Sequence, residues 1–143
     1  PVRLSESISG TLIGCNNLIK VGTTGTNTYA LIHVLTKALY QKKGKTPQKS
    51  DVINDSVNPV YNLAFDYQKV SKGDSLQIEI YQTNQPEDLL IGECIIPLKQ
   101  INENQTYEQE FDIAKPFRFP YQYGNFDSFG KAKLSLTHNV QYQ

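Results

Sequence analysis

Short apolar–polar alternations, separated by turn residues at intervals of roughly a dozen positions, constrain this chain most. Ser75 to Tyr81 is the clearest, with Leu76, Ile78 and Ile80 alternating against Gln77 and Glu79. Side chains of an extended strand point to opposite faces in turn, so such a run reads as a strand with one face toward a core. Similar runs occur at Thr11–Cys15, Tyr29–Thr36, Ser50–Asn54, Asn62–Tyr67, Leu89–Leu98, Tyr107–Ile113 and Lys131–His138. In the fourth of these, Leu63, Phe65 and Tyr67 fall on one face. Between them lie breaks such as Gly22 to Asn27, Asn58-Pro59 and Lys72-Gly73-Asp74. Glycine admits positive φ, and proline pushes its predecessor into an extended conformation. Helix is confined to one expected turn near Lys99 to Glu103. Many short strands at this spacing imply an all-β sandwich or barrel.

At 143 residues the chain suffices for one domain with its own core, here expected over about residues 9–139. There is no methionine, and the first residue is Pro1. Either an initiator Met has been removed or the chain is excised from a larger protein, and the second is expected. No apolar run reaches the roughly 18–20 residues of a transmembrane helix, and Pro1 to Gly10 has no apolar signal segment. Cys15 and Cys94 are too few for a disulfide framework and lie in apolar runs. Reduced, buried thiols and a cytoplasmic location, compatible with peripheral membrane attachment, are the expectation.

The net charge is zero, but the charges are segregated. From Ser7 to Ser50 there is no acidic residue, whereas Lys20, Lys37, Lys42, Lys43, Lys45 and Lys49 are basic. From Asp74 to Asp112 nine carboxylates face only Lys99. This pattern argues against nucleic-acid binding and for one oriented basic surface. Catalysis finds no support. His33 and His138 have no local nucleophile motif, the cysteines are not spaced with histidines for zinc, and the Gly22 to Asn27 loop lacks the Lys-Ser/Thr of a phosphate loop. No cofactor is expected.

The ordered features resemble the C2 domain over nearly the whole chain. Gly10-Thr11-Leu12-Ile13 with Asn17-Leu18 is similar to that family's opening strand. Thr26-Asn27-Thr28-Tyr29 stands where the family writes Ser-Asp-Pro-Tyr, and Asn58-Pro59-Val60-Tyr61-Asn62 with Phe65 matches its most recognisable turn. Leu76 to Tyr81, Ile91-Gly92-Glu93 and Pro97-Leu98 complete the order. The resemblance implies an eight-stranded antiparallel Greek-key β-sandwich. It leaves open which end of the chain supplies one variable edge strand. Lys131 to His138 is preferred to Val2 to Ile8 because it alternates better.

The resemblance also implies where calcium would bind, and those positions are degenerate. They fall at Gly22, Asn27, Gln82, Asn84 and about Leu89, and none is a carboxylate. Calcium takes about 6–8 oxygen ligands and needs several carboxylates to displace water, so no metal is expected. A weak site from Asp55, Glu87 and Asp88 is the residual alternative.

Some C2 domains bind phosphoinositides with lysines and aromatics on a concave face. Tyr29, Tyr81 and Lys49 match that pattern, while Leu31, His33 and Asp51 occupy expected lysine positions. The remaining basic cluster is Lys37, Lys42, Lys43, Lys45 and Lys49. At about 1 kcal/mol per lysine near an anionic surface, five contribute roughly 5 kcal/mol, equivalent to high micromolar or weaker binding. A second contact is needed, and Val21, Leu89 and Leu90 are the apolar loop-tip candidates.

Six aromatics fall within Phe117 to Phe129. In an extended segment Phe117, Phe119, Tyr121 and Tyr123 would share one side, as a protein interface or as a packed connection. Two functions follow as expectations. The first is a calcium-independent membrane-targeting module docking weakly on anionic phospholipid through the basic cluster. The alternative is a protein-interaction or scaffold domain using the aromatic stretch or an exposed sheet edge.

Overall fold

The computed structural model describes residues 2–22, 25–36, 45–84 and 86–143. Among these, eight strands form two four-stranded antiparallel sheets. The strands are β1 (Arg3–Asn16), β2 (Thr28–Leu35), β3 (Gln48–Lys49), β4 (Val60–Gln68), β5 (Ser75–Gln82), β6 (Leu89–Pro97), β7 (Thr106–Asp112) and β8 (Lys131–Tyr142). One sheet has the order β4-β1-β8-β7 and the other β3-β2-β5-β6. The expected sandwich is therefore observed. Helix among the described residues is limited to two 3₁₀ turns, at Leu98–Gln100 and Tyr121–Tyr123.

The alternating runs supply the core. Ile8 and Leu12 of β1, with Leu134 and Leu136 of β8, face Ile32 of β2 and Leu76, Ile78 and Ile80 of β5, all fully buried. Each such side chain contributes about 1.5–3 kcal/mol through burial. Tyr67 ties the layers together: from β4 its hydroxyl lies 3.1 Å from the Ile32 carbonyl of β2 and 3.1 Å from that of Thr46. Phe65 and Tyr67 are buried while Ala64, Asp66 and Gln68 are exposed, as the alternation of that run requires.

Several expectations are corrected. Ser50–Asn54 is not a strand. Its backbone links to β2 are an isolated bridge between Ile53 and Thr28 and one bond from the Ser50 N–H to the Ala30 carbonyl (2.9 Å), and Val52 is exposed. The short strand lies just before it, at Gln48–Lys49, after Pro47. Both ends of the chain supply strands to this sheet, and neither is an edge: β1, which includes Arg3 to Ile8, lies between β4 and β8, and β8 lies between β1 and β7. Val2 to Ile8 makes no separate strand, because β1 runs unbroken from Arg3 to Asn16 along β8. Gln77 and Glu79 point away from the core yet are 8% and 6% exposed, so that face of the sheet is not freely solvated.

Gly92 answers to a close approach. A Cβ there would come within 2.5 Å of Ile113 Cγ2. Beside it β5 and β6 slip register between Ile80 and Tyr81, and Glu93 then exchanges backbone hydrogen bonds with Ala114 (3.1 and 2.7 Å). This single bridge fastens the long 113–130 loop to β6.

Strand direction places the described residues of the 17–27, 50–59, 83–88 and 113–130 loops at one end of the sandwich. The turns 69–74 and 98–105 lie at the other end, together with Thr36 and Lys45, the described flanks of the lysine-rich connection.

Candidate functional site

Three surfaces draw together residues that the sequence singled out. The first is the outward face of the β3-β2-β5-β6 sheet. Tyr29 and Tyr81 are direct cross-strand partners, and their rings stack at 5.4 Å with 12° between planes. Lys49 lies opposite Leu31, two positions along from Tyr29, and its Nζ sits 4.5 Å from the centroid of the Tyr29 ring. The lysine–aromatic grouping is thus real, but the carboxylates beside it are equally part of the face. The Tyr29 hydroxyl donates to Asp88 Oδ2 at 2.6 Å, and that of Tyr81 to Glu79 Oε2 at 3.3 Å. Burial, followed by these carboxylates, pushes both phenols up to about 12. The Tyr29 hydrogen bond holds the Asp88 carboxyl below its usual range.

His33 Nε2 lies 2.8 Å from Glu79 Oε1 on the same face, both nearly buried. Glu93 stands opposite Glu79 across β5 and β6. Burial, and then the like charge of Glu79, raises its carboxyl. Lys49 shares this face with three carboxylates: Asp88 feels its charge, while Glu79 and Glu93 lie two and three strands away in the same cross-strand row. An anionic head group would meet more negative than positive charge here. Lys45 is half-buried at the flank of the connection, whereas Lys37, Lys42 and Lys43 lie outside the described residues.

The second surface is the loop end with the degenerate calcium positions. Gln82 is buried, and its Nε2 donates to the Val21 carbonyl at 3.1 Å. Asn27 Oδ1 accepts from the Asp55 backbone N–H at 2.9 Å, which places Asp55 against Gly25 and Thr26. Gly22 adopts φ 79°, Asn84 is exposed, and Leu89 begins β6. The two amides thus brace the loops from within. Of the residual carboxylates, Asp88 accepts from Tyr29 and from the Asn84 N–H (3.3 Å), while Asp55 belongs to the neighbouring loop. Among the described residues no three His, Cys, Asp or Glu side chains are grouped to hold a metal. Val21, expected at a tip, is buried at 4% exposure.

The third surface is the 113–130 loop, where the expected one-sided aromatic row does not form. Pro116 and Pro120 each begin a turn: the Phe119 N–H donates to the Pro116 carbonyl and the Tyr123 N–H to that of Pro120. These turns replace the two-residue period of an extended chain. Phe119 rotates inward and meets Phe129 (5.5 Å, 89°), Phe126 (6.1 Å, 72°) and Tyr123 (6.1 Å) in edge-on or tilted contacts. Such pairs stabilise by about 0.5–1.5 kcal/mol each beyond area burial. Phe117 and Tyr121 rotate outward and are 92% and 90% exposed. Lys115 and Arg118 are exposed beside them. The sequence pattern singles out both aromatics but does not show that they alone project; the two prolines were the available signal.

The profile of the C2 domain matches residues 6–113. The chain belongs to the C2 domain family. A stretch of 77 residues, 52% of this chain, is 32% identical to Synaptotagmin-5 of Arabidopsis thaliana, and is 14% of that protein's length. Among solved structures, a single C2 domain of a plant Extended Synaptotagmin 1 superposes with a TM-score of 0.75 at 14% identity, covering 96% of both chains. Extended-Synaptotagmin 2, comprising an SMP domain and two C2 domains, gives 0.69 at 19% identity, covering 96% of this chain and 28% of that one. Human GIVD cytosolic phospholipase A2 gives 0.71 at 13% identity, covering 97% and 18%. These structural likenesses establish a shared fold. The matched region is a small part of the curated relative and of the multidomain structures alike.

This C2 domain shows no catalytic grouping among its described residues. Burial pushes the thiols of Cys15 and Cys94 up to about 12, which makes them poor nucleophiles. His138 is enclosed at 1% exposure, with Nε2 3.4 Å from Glu6 Oε2. Among the described residues no helix is long and apolar enough to cross a membrane.

Proposed function

We propose that this C2 domain is a calcium-independent, non-catalytic membrane-targeting module that seats its loop end on anionic phospholipid. The observation that carries this reading is the pair Phe117 and Tyr121, both almost fully exposed, on a loop braced by its own aromatic cluster. Aromatic rings held out beside Lys115 and Arg118 suit an interface with an apolar interior and phosphate at its surface. Burying one large apolar side chain contributes about 1.5–3 kcal/mol, which supplies the second contact that lysines alone lack.

The lysine cluster keeps a lesser part in this reading. Lys37, Lys42, Lys43 and Lys45 belong to a connection whose flanks lie at the other end of the sandwich, and Lys49 interacts with Asp88 on a sheet face that also carries Glu79 and Glu93. Tyr29 and Tyr81 serve as the wall that positions Lys49. The absence of carboxylates at Gly22, Asn27, Gln82, Asn84 and Leu89 supports independence from calcium.

Sedimentation with neutral and anionic vesicles, each with calcium and with chelator, tests the proposal. Binding to anionic vesicles in both conditions, reduced about tenfold or more in Phe117→Ala plus Tyr121→Ala, is expected. Binding only with calcium would overturn it, as would a double variant that binds like the parent.

A further inference from the structure

One acidic side chain of the 74–112 stretch has no role in the loop-end reading. Most of the others are engaged within the fold. Asp74 Oδ2 accepts from the Ser71 N–H, Glu79 lies beside His33, and Asp88 accepts from Tyr29. Glu103 pairs with Arg3, Glu108 with Lys133, and Asp112 with Lys131. Glu93 instead stands at the base of an open groove. Its charged neighbour across the strand pair is another carboxylate, Glu79.

The groove has a volume of about 410 Å³. That lies within the roughly 300–1,000 Å³ of sites for small ligands or a few side chains. Leu89 and Leu90 form one wall, and Pro116, Phe117 and Pro120 the other. Its walls are already joined, since Glu93 and Ala114 exchange backbone hydrogen bonds at 3.1 and 2.7 Å. The site therefore needs little ordering when it binds, which favours affinity. The same bonds occupy the backbone of Glu93, so an incoming chain docks there by its side chains and not as an added strand. Glu87 and Asp88 are exposed on the loop that leads into Leu89, and Arg118 is the cation at the groove's rim.

We propose that this groove docks an extended segment of a partner protein in which a lysine or arginine follows an apolar residue. The apolar side chain sits between Leu90 and the Pro116–Pro120 wall, and the cation meets the Glu93 carboxylate with Glu79 behind it. Charge complementarity selects this occupant. Glu93 is the carboxylate inside the groove, with Glu79, already held by His33, next to it across the strand pair, so the floor disfavours an anionic head group or an acidic side chain and attracts a cation. A partner cation would also relieve the burial and like-charge repulsion that now raise the Glu93 carboxyl. Phe117 borders both the groove and the loop end, so a bound segment and a membrane compete for that ring.

The test uses the full chain and a panel of labelled hexapeptides in which a central leucine is followed by Lys, Arg, Gln or Glu. Binding is read by fluorescence anisotropy at low and high salt. The Lys and Arg peptides are expected to bind, with affinity falling as salt rises. Glu93→Gln should weaken them fivefold or more while leaving the thermal midpoint and anionic-vesicle docking intact. Equal binding of all four peptides, no binding of any, or an unaffected Glu93→Gln variant would each overturn the proposal. So would Glu93→Gln strengthening vesicle docking with no peptide bound, which would assign the groove to lipid. Neither Phe117 nor Tyr121 is altered, so failure of the membrane reading is scored separately in the vesicle assay.

Discussion

The sheet face around Tyr29 and the loop around Phe117 are both rich in aromatic and basic residues, yet they offer opposite things to a partner. On the sheet face Tyr29 is stacked on Tyr81, covered by Lys49 and hydrogen-bonded to Asp88. Its rings and charges are satisfied internally. On the loop, Phe119, Phe126 and Phe129 satisfy one another, and in doing so they hold Phe117 and Tyr121 away from the protein. Aromatic density in a sequence therefore does not locate a binding surface. What matters is which rings remain after the fold has used the others.

The largest expected effect separates the two halves of the aromatic loop. Phe119→Ala removes the ring that joins Phe126, Phe129 and Tyr123, and should cost about 3–5 kcal/mol in urea unfolding. Phe117→Ala should change stability by less than about 0.5 kcal/mol, because its ring is in solvent. Equal losses for the two would erase the distinction between bracing and projecting rings.

A second, smaller effect concerns pH. Burial, opposed by the backbone at Ile101 and by the charge of Glu103, holds the His138 imidazole below its ordinary value. The unfolded chain then binds the proton more readily than the folded one. Stability contributed by this group is full above the unfolded value of about 6.5 and is lost as pH falls toward the folded value. His138 touches the β1, β8 and 98–104 regions and neither candidate surface. Unfolding midpoints between pH 7 and pH 5 should decline in the parent and decline less in His138→Gln. A parallel decline would show that another group carries the dependence.

The smallest effect probes the sheet face. Lys49→Gln removes a cation over Tyr29, a contact that contributes about 0.5–1 kcal/mol at exposed sites. Vesicle affinity should fall by no more than a few-fold, far less than for Phe117→Ala plus Tyr121→Ala. A larger loss from Lys49 than from the aromatic pair would reverse the assignment of the docking surface.

Much of the fold was legible because a strand with one face in the core must alternate. Leu76, Ile78 and Ile80 are buried as the pattern of their run requires. The exceptions have local causes. Ser50–Asn54 has apolar residues, but its backbone meets β2 only at Ser50 and Ile53 and forms no continuous ladder. Phe117 to Tyr123 has the period of a strand, but its prolines impose turns at 116–119 and 120–123. The absence of carboxylates at the calcium positions could be read directly, whereas the internal roles of Gln82 and Asn27 could not.

The sequence by itself determined the class of fold, the core strands and the chemistry missing from the loops, because these follow from local alternation and from residue identity. Only the tertiary structure decided that β8 is an interior strand, that Glu79 and Glu93 face each other on the sheet face that carries Lys49, and that Phe119 turns in while Phe117 turns out. Those outcomes depend on pairing between residues far apart in the chain, and no local pattern encodes which distant strand or ring will arrive as the neighbour.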